Sequence, residues 1–595
     1  VTAPQSESTT RGPSRRLTDV APLAILWLAT VAALWPVCRN QFVRWDDHAI
    51  LYQNPTLNPP ALSSLQSWWT TPHQRLYTPV AYTLWGLIAW LARVPPDPGT
   101  GIALNPHVFH TANLVLHLLT STAAYFLLKR LLGIRWPAAA GAMLFAIHPV
   151  QVESVAHASG IQGLLCGLFG LTAVWLYLHA VTSKNQTALQ AQPLAASQTG
   201  DVRLAAPGEV EPLICDDRPP TTGKCEPPTC DGEVEPLICD APSPTVGEVE
   251  PLICDAPSPT VGKAAPLNRE AASGDAMKPI SRSYESVRGA DPTGSAELPL
   301  DYEPADPNPD IFNPCIYSLA TAAFILALLS KPAAMTVPIL AAVLHVVYLR
   351  RRPVDAIRFL WPWLLLALPC AIIVRVIQKS PRFDVPIPFY DRPLIAGYTI
   401  AFYLWKIVFP WWLGIVYPRA NPPELISGDA IYYTWLVPAA IATLLWERRR
   451  KLRPLAAAAL WFLAALLPVL GLTRFDFQTY STVADRYLYL PMFGIALAAG
   501  WVLSRPWSLA LPKVMTLACA VILTVLGVRA WFQTLTWHDT DSLFRNAHTV
   551  NHAGGWAAND SSVVSVTQAI HAETGDCDGP DRRSVDPAPR ESGPS

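Results

Sequence analysis

Val20-Ala-Pro-Leu-Ala-Ile-Leu-Trp-Leu-Ala-Thr-Val-Ala-Ala-Leu-Trp-Pro-Val37 is an uncharged run, and its reading decides the class of the molecule. It approaches the ~20 apolar residues that cross a bilayer core as a helix. Arg11, Arg15 and Arg16 precede it. Basic flanks stay on the cytoplasmic side, so residues 1–19 are expected to be a cytoplasmic tail. A secretory signal would end in a small-residue cleavage site. Trp35-Pro36-Val37-Cys38 is a poor one, and the run reads as a retained anchor. The polar stretch Phe42-Val-Arg-Trp45-Asp46-Asp47 then emerges on the far face.

Ten further runs repeat the pattern, at residues 107–131, 136–147 (short unless 149–155 continues it), 160–181, 311–329, 333–349, 356–377, 431–446, 455–472, 483–503 and 509–532. The expectation is an all-α integral membrane protein with about eleven transmembrane helices. Arg130, Arg135, the Arg350-Arg351-Arg352 triplet, the bases from Arg448 to Arg453 and Arg505 fall inside if residues 76–92 and 393–413 do not cross. Both are interrupted by Pro or framed by Trp and Tyr, as suits helices lying along the outer interface. Residues 39–105, 150–159, 473–482 and the C-terminus beyond Trp537 are then extracytoplasmic.

The formal net charge of −1 conceals two materials. Residues 183–310 carry 22 acids and 9 bases, whereas the remainder is basic and apolar. The segment is Pro-rich and repeats Gly232-Glu-Val-Glu-Pro-Leu-Ile-Cys-Asp from Gly247. Such units cannot bury a core, and a disordered cytoplasmic insert is expected. Its five cysteines have no His among them and do not fall in two close pairs, which disfavours zinc. Two membrane modules remain, residues 20–182 and 311–537. Residues 538–595 read as a truncated or vestigial helical-repeat tail. With 51% hydrophobic and 15% charged residues in long blocks, a soluble enzyme is disfavoured. Nothing in the charge supports a nucleic-acid partner.

Candidate chemistry gathers at the outer ends of the runs. Asp46-Asp47 offers carboxylates for general-base work or for holding a sugar, against the plainer reading of a solvated acid pair. Glu153, after His148-Pro149-Val-Gln-Val, is an acid at a membrane boundary. Lys331 and Arg486 stand outside against the positive-inside trend, where they suit a phosphate. His107, His110, Asn113 and His117 share one helix face without a carboxylate; interior hydrogen bonding fits them better than a metal, and no metal site is expected.

Taken in order, Trp45-Asp46-Asp47, Tyr77-Thr-Pro79, Phe109-His-Thr-Ala-Asn113-Leu-Val-Leu-His117, Phe145-Ala-Ile-His148-Pro149-Val-Gln-Val-Glu153, Leu329-Ser-Lys331 and Asp485-Arg486-Tyr-Leu-Tyr-Leu-Pro491 resemble a known pattern. It is that of the GT-C glycosyltransferases, and most closely of the transmembrane and tetratricopeptide-repeat O-mannosyltransferases with their bacterial relatives. The resemblance implies a GT-C bundle in a bacterial inner or plasma membrane. It implies a polyprenyl-phosphate-linked sugar as donor, no cofactor, and a protein or glycan acceptor. Carried over by position, Asp46 or Asp47 is the base and Glu153 a second essential acid. Lys331, Arg486, Tyr487, Arg75, His148, His110 and Asn113 then hold the substrate or the carrier phosphate. The chain departs from the pattern at Thr78, at Ile161-Gln162-Gly163, at Pro332 and at Asp485. Two competing readings use the same features: a flippase for a lipid-linked sugar, and a catalytically inactive membrane scaffold.

Overall fold

A computed structural model describes residues 14–181, 312–377, 388–417 and 429–553, apart from 474, 480, 507, 509 and 510. The expectations for residues 183–310 and for the tail beyond 553 lie outside these. The chain divides into one unit of Val1–Gly200 with Pro307–Ser595 and a second, Asp201–Asp306, which lies wholly outside the described residues.

The described residues are helical, with three isolated β-bridges and no strand among them. The helices are α1 (Ser14–Leu34), α2 (Ser64–Thr70), α3 (Pro79–Leu91), α4 (Pro106–Leu132), α5 (Arg135–Ile147), α6 (Val152–Ala156) and α7 (Ile161–Val181). After the insert come α8 (Pro314–Ser330), α9 (Val337–Val343), α10 (Pro353–Ile377), α11 (Arg392–Val408) and α12 (Leu436–Glu447). The chain continues with α13 (Arg453–Leu466), α14 (Met492–Leu503), α15 (Pro512–Leu535) and α16 (Thr540–Ala553).

Five helices are long and apolar enough to cross a membrane: Val20–Arg39, Pro106–Leu132, Ala158–Val181, Pro353–Ile377 and Pro512–Leu535. The pair Arg135–Ile147 and Pro149–Ala156, bent by 52° where Pro149 has no amide hydrogen to continue the helix, has the composition of either a broken sixth span or a re-entrant loop. The other five expected spans are shorter. Pro314–Ser330, Pro332–Tyr348 and Arg453–Val469 reach at most 17 residues. At about 1.5 Å per residue that is about 26 Å, below the ~30 Å of a typical core. Residues 431–446 yield only the 12 residues of α12, and residues 483–503 only the 12 of α14. Residues 485–488 are a 3₁₀ turn instead, because their side chains are committed to partners described below.

Packing follows membrane rules, in which small residues let backbones touch. A Cβ on Gly141 of α5 would fall 2.5 Å from the Ala496 carbonyl of α14. α4 ends at Gly133, whose left-handed φ of 73° lets its amide return to the Lys129 carbonyl at 2.9 Å. The main core runs through α4, α5, α7, α8, α13 and α14. A second, smaller core around Trp68, Tyr82, Trp85 and Phe109 joins α2, α3 and the starts of α4 and α7. By contrast, 17% of the apolar window of α10 and 6% of that of α15 is buried, as expected of helices that face lipid. α11 is one-sided, burying Tyr398, Phe402, Tyr403 and Lys406 while Trp405 and Val408 stay exposed. That is the pattern expected of an interfacial helix.

Candidate functional site

The bend at Pro149 points α6 back into the molecule, where Glu153 is buried. Its Oε2 accepts the Arg486 amide at 2.8 Å, and its Oε1 accepts Arg486 Nη1 at 2.5 Å. One carboxylate therefore holds both the backbone and the guanidinium of a residue 333 positions away. The guanidinium also lies over the rings of Phe477, at 4.2 Å, and Tyr487, at 5.3 Å. Charge-assisted bonds of this kind are short and strong, and they fix geometry as well as energy.

The adjacent acids Asp46 and Asp47 behave differently. Asp47 is fully buried and accepts the amides of Val43 at 3.1 Å and Ser159 at 2.9 Å, with His157 Nε2 at 3.4 Å. It closes the loop onto the start of α7. Asp46 is half-buried, and its charge acts on Arg486 and Tyr487. Side chain by side chain, Asp47 spends its oxygens on scaffold while Asp46 faces the Arg486 end.

Lys331 stands at the break between α8 and the 3₁₀ turn Pro332–Thr336. Its Nζ lies over Gly163 of α7, where an added Cβ would be 3.6 Å away. Its charge acts on the Glu153–Arg486 pair, yet among the described residues no hydrogen bond or ion pair satisfies the ammonium. Beside it runs an apolar groove of about 210 Å³, lined by Leu328, Leu329 and Pro332, by the Pro369–Ile373 side of α10, and by Arg75 and Tyr77. Gln74 and Arg75 both adopt left-handed backbone, with φ of 48° and 57°. That conformation is uncommon for residues with a Cβ and recurs at ligand sites.

The remaining candidates are committed inside the fold. His110 Nε2 bonds to the Gln41 carbonyl at 3.2 Å, and Asn113 Nδ2 donates to the carbonyls of Val155 and His157. His117 bridges Tyr489 Oη and the Ala146 carbonyl, and His148 Nε2 meets the Ile407 carbonyl at 3.0 Å. These side chains hold α5, α6, α11 and the loop after α1 around Glu153. His107 is not part of this set; its backbone is engaged by Asn105 and Thr111. Among the described residues no three His, Cys, Asp and Glu side chains are grouped as a metal site.

Sequence reasoning passed over Tyr403, Lys406 and Tyr417, which meet residues 484–485 from α11 and the segment after it. The signal was present: Lys406 is a lone base on the apolar face of a helix, a position that calls for a partner.

No protein-family profile matches the chain, and no solved structure matches it. It is 31% identical over 186 residues to the mouse Protein O-mannosyl-transferase TMTC1. It is 28% identical over 148 residues to the Drosophila melanogaster Protein O-mannosyl-transferase Tmtc1. The matches cover 29% and 24% of this chain, and 18% and 16% of those proteins, so the chain spans less than a fifth of either. It is a helical membrane protein with distant, partial similarity to the TMTC O-mannosyltransferases.

Proposed function

We propose that the protein is an integral-membrane glycosyltransferase of the GT-C type. It moves a sugar, mannose by analogy with the names of its relatives, from a polyprenyl-phosphate carrier to a hydroxyl outside the cytoplasm. The observation that carries the reading is Lys331. It is a half-buried cation without a hydrogen bond or ion pair among the described residues, flanked in sequence by Leu329 and Pro332 of an apolar groove and within the field of the Glu153–Arg486 pair. A half-buried charge is retained at a cost unless an anion joins it. A lipid phosphate satisfies both neighbours: the polyprenyl chain takes the groove and the phosphate takes Lys331, Arg486 and Arg75.

In this mechanism Asp46 accepts the proton of the acceptor hydroxyl as its oxygen attacks the anomeric carbon. The bond to the phosphate oxygen breaks with its electron pair, and the configuration inverts. The cations stabilise the charge left on the phosphate, which makes a second proton donor unnecessary. Asp47, His110, Asn113 and His148 hold the loop and helices that present these groups. In the membrane we assign eleven crossings, the five shorter ones crossing where the bilayer thins around them, with residues 1–19 inside and α3 and α11 on the outer face. The test compares glycoproteins and glycolipids of cells lacking the gene and complemented with the natural chain or with Asp46→Asn. The natural chain should restore a lost glycan and Asp46→Asn should not. Equal restoration by both would refute the assignment.

A further inference from the structure

The turn that carries Arg486 is held from a second side. Tyr403 Oη of α11 accepts the Ala484 amide at 3.1 Å and donates to the Ala484 carbonyl at 3.2 Å. Tyr417 Oη accepts the Gly414 amide at 2.9 Å and donates to the Asp485 carboxylate, with its oxygens at 2.9 and 3.0 Å. Residues 411–417 thus form a strap that ends on Asp485.

Three helices pin the strap by its carbonyls. Lys406 of α11 donates to the Trp412 carbonyl, and its Nζ lies 4.7 Å from the centre of the Tyr417 ring and 5.2 Å from that of Phe402. Arg529 of α15 donates to the Trp411 carbonyl at 2.5 Å. Gln533 of α15 and Asn546 of α16 both donate to the Leu413 carbonyl, at 3.2 and 2.9 Å. Asp485 itself is 3% exposed and stands beside Glu153, so two acids share one buried site.

We propose that Lys406 and Tyr417 are positioning residues that, through the strap and the Asp485 carboxylate on which it ends, hold the 484–487 turn on which Arg486 is presented. The proposal rests on the reading of Arg486 as a phosphate ligand only for its consequence in transfer.

The balance of charge explains why two such residues are needed. Burial and then the Glu153 carboxylate push the Asp485 carboxyl up to about 7, while Lys406, the Tyr417 hydroxyl and Arg486 favour its ionised form. Arg529 and Tyr403 also act within the same field. Once it takes a proton the carboxyl loses its charge. The hydroxyl of Tyr417 then has no anion to donate to, and Lys406 has lost its counter-charge. Removing Lys406 takes away a stabiliser of the anion and moves this change to higher pH.

The experiment is an infrared titration of the purified full chain in lipid nanodiscs, following the protonated-carboxyl band that Asp485→Asn abolishes. Its midpoint should lie near 7 in the natural protein. It should rise by about one to three units in Lys406→Met, rise less in Tyr417→Phe, and stay in place in Lys406→Arg. At pH 7, hydrogen exchange of amides 484–487 should be about tenfold faster in Lys406→Met, an opening ~1.4 kcal/mol easier, and unchanged in Lys406→Arg. An unchanged midpoint in both Lys406→Met and Tyr417→Phe would overturn the proposal, as would unchanged exchange at 484–487. If Lys406→Met does not fold, Tyr417→Phe, which loses one hydroxyl, decides alone. The inflection in the pH profile of sugar transfer should move with the infrared midpoint. A chain that transfers no sugar under any condition would defeat the glycosyltransferase reading and leave the infrared and exchange results to decide this one.

Discussion

Two cations that feel the same Glu153 carboxylate are built in opposite ways. Arg486 sits in a turn held by Glu153, Tyr403 and Tyr417, with its guanidinium paired at 2.5 Å and laid over aromatic rings. Lys331 follows a helix end and lies over a glycine, without a counter-ion among the described residues. The first is a finished structural unit that keeps part of its surface open. The second has no such partner among the described residues, and it is where the proposed carrier phosphate enters. The fold holds Arg486 internally, whereas the proposed mechanism gives Lys331 to the ligand, so substitutions at the two should separate stability from activity.

The largest effect should come from Glu153→Gln. It leaves a mostly buried guanidinium without its carboxylate, a loss of about 3–5 kcal/mol when one partner of a buried pair is removed. Thermal unfolding in detergent should show a much lower midpoint, and transfer should be lost with it; an unchanged midpoint would break the comparison on the Arg486 side. Lys331→Met should do the reverse. Transfer should fall about 10²–10³-fold, as for loss of one charge-stabilising group, while the unfolding midpoint holds or rises because an unpaired charge is gone. A fall in the midpoint as large as that of Glu153→Gln would show that Lys331 has a structural partner after all. A smaller effect separates the two acids of the loop. Asp47→Asn should cost about 1–3 kcal/mol, since the amides of Val43 and Ser159 and the His157 ring lose their carboxylate acceptor. Asp46→Asn should leave stability nearly unchanged, and differential scanning fluorimetry of the two variants side by side reads the difference.

The membrane class was legible because an uncharged run such as residues 20–37 has few other physical fates. So was the convergence of Glu153 and Arg486, which sequence order and basic-residue bias put on one side. Helix length was less legible. Hydropathy counts residues 483–503 as one run. It does not register that Asp485 and Arg486 are tied to Tyr417 and Glu153, which delays the helix to Met492. The bend at His148-Pro149 could be read from the proline, but not its 52°. Nor could a linear reading tell Asp46 from Asp47, because the difference is set by the Ser159 amide, 112 residues further on. Lys406 could be singled out as a lone base on an apolar face, but not its partners, which come from the strap after its own helix and from a turn about eighty residues later.

The central claim is that a sugar changes bonds at this rim. Purified protein in proteoliposomes, supplied with polyprenyl-phosphate mannose labelled in the sugar and with a Ser/Thr-containing peptide, tests it directly. The account predicts labelled peptide from the natural chain and about 10²–10⁴-fold less from Asp46→Asn, the range for loss of a general base. Label that crosses from one leaflet to the other while remaining on the lipid, with none on peptide or glycan, would contradict it.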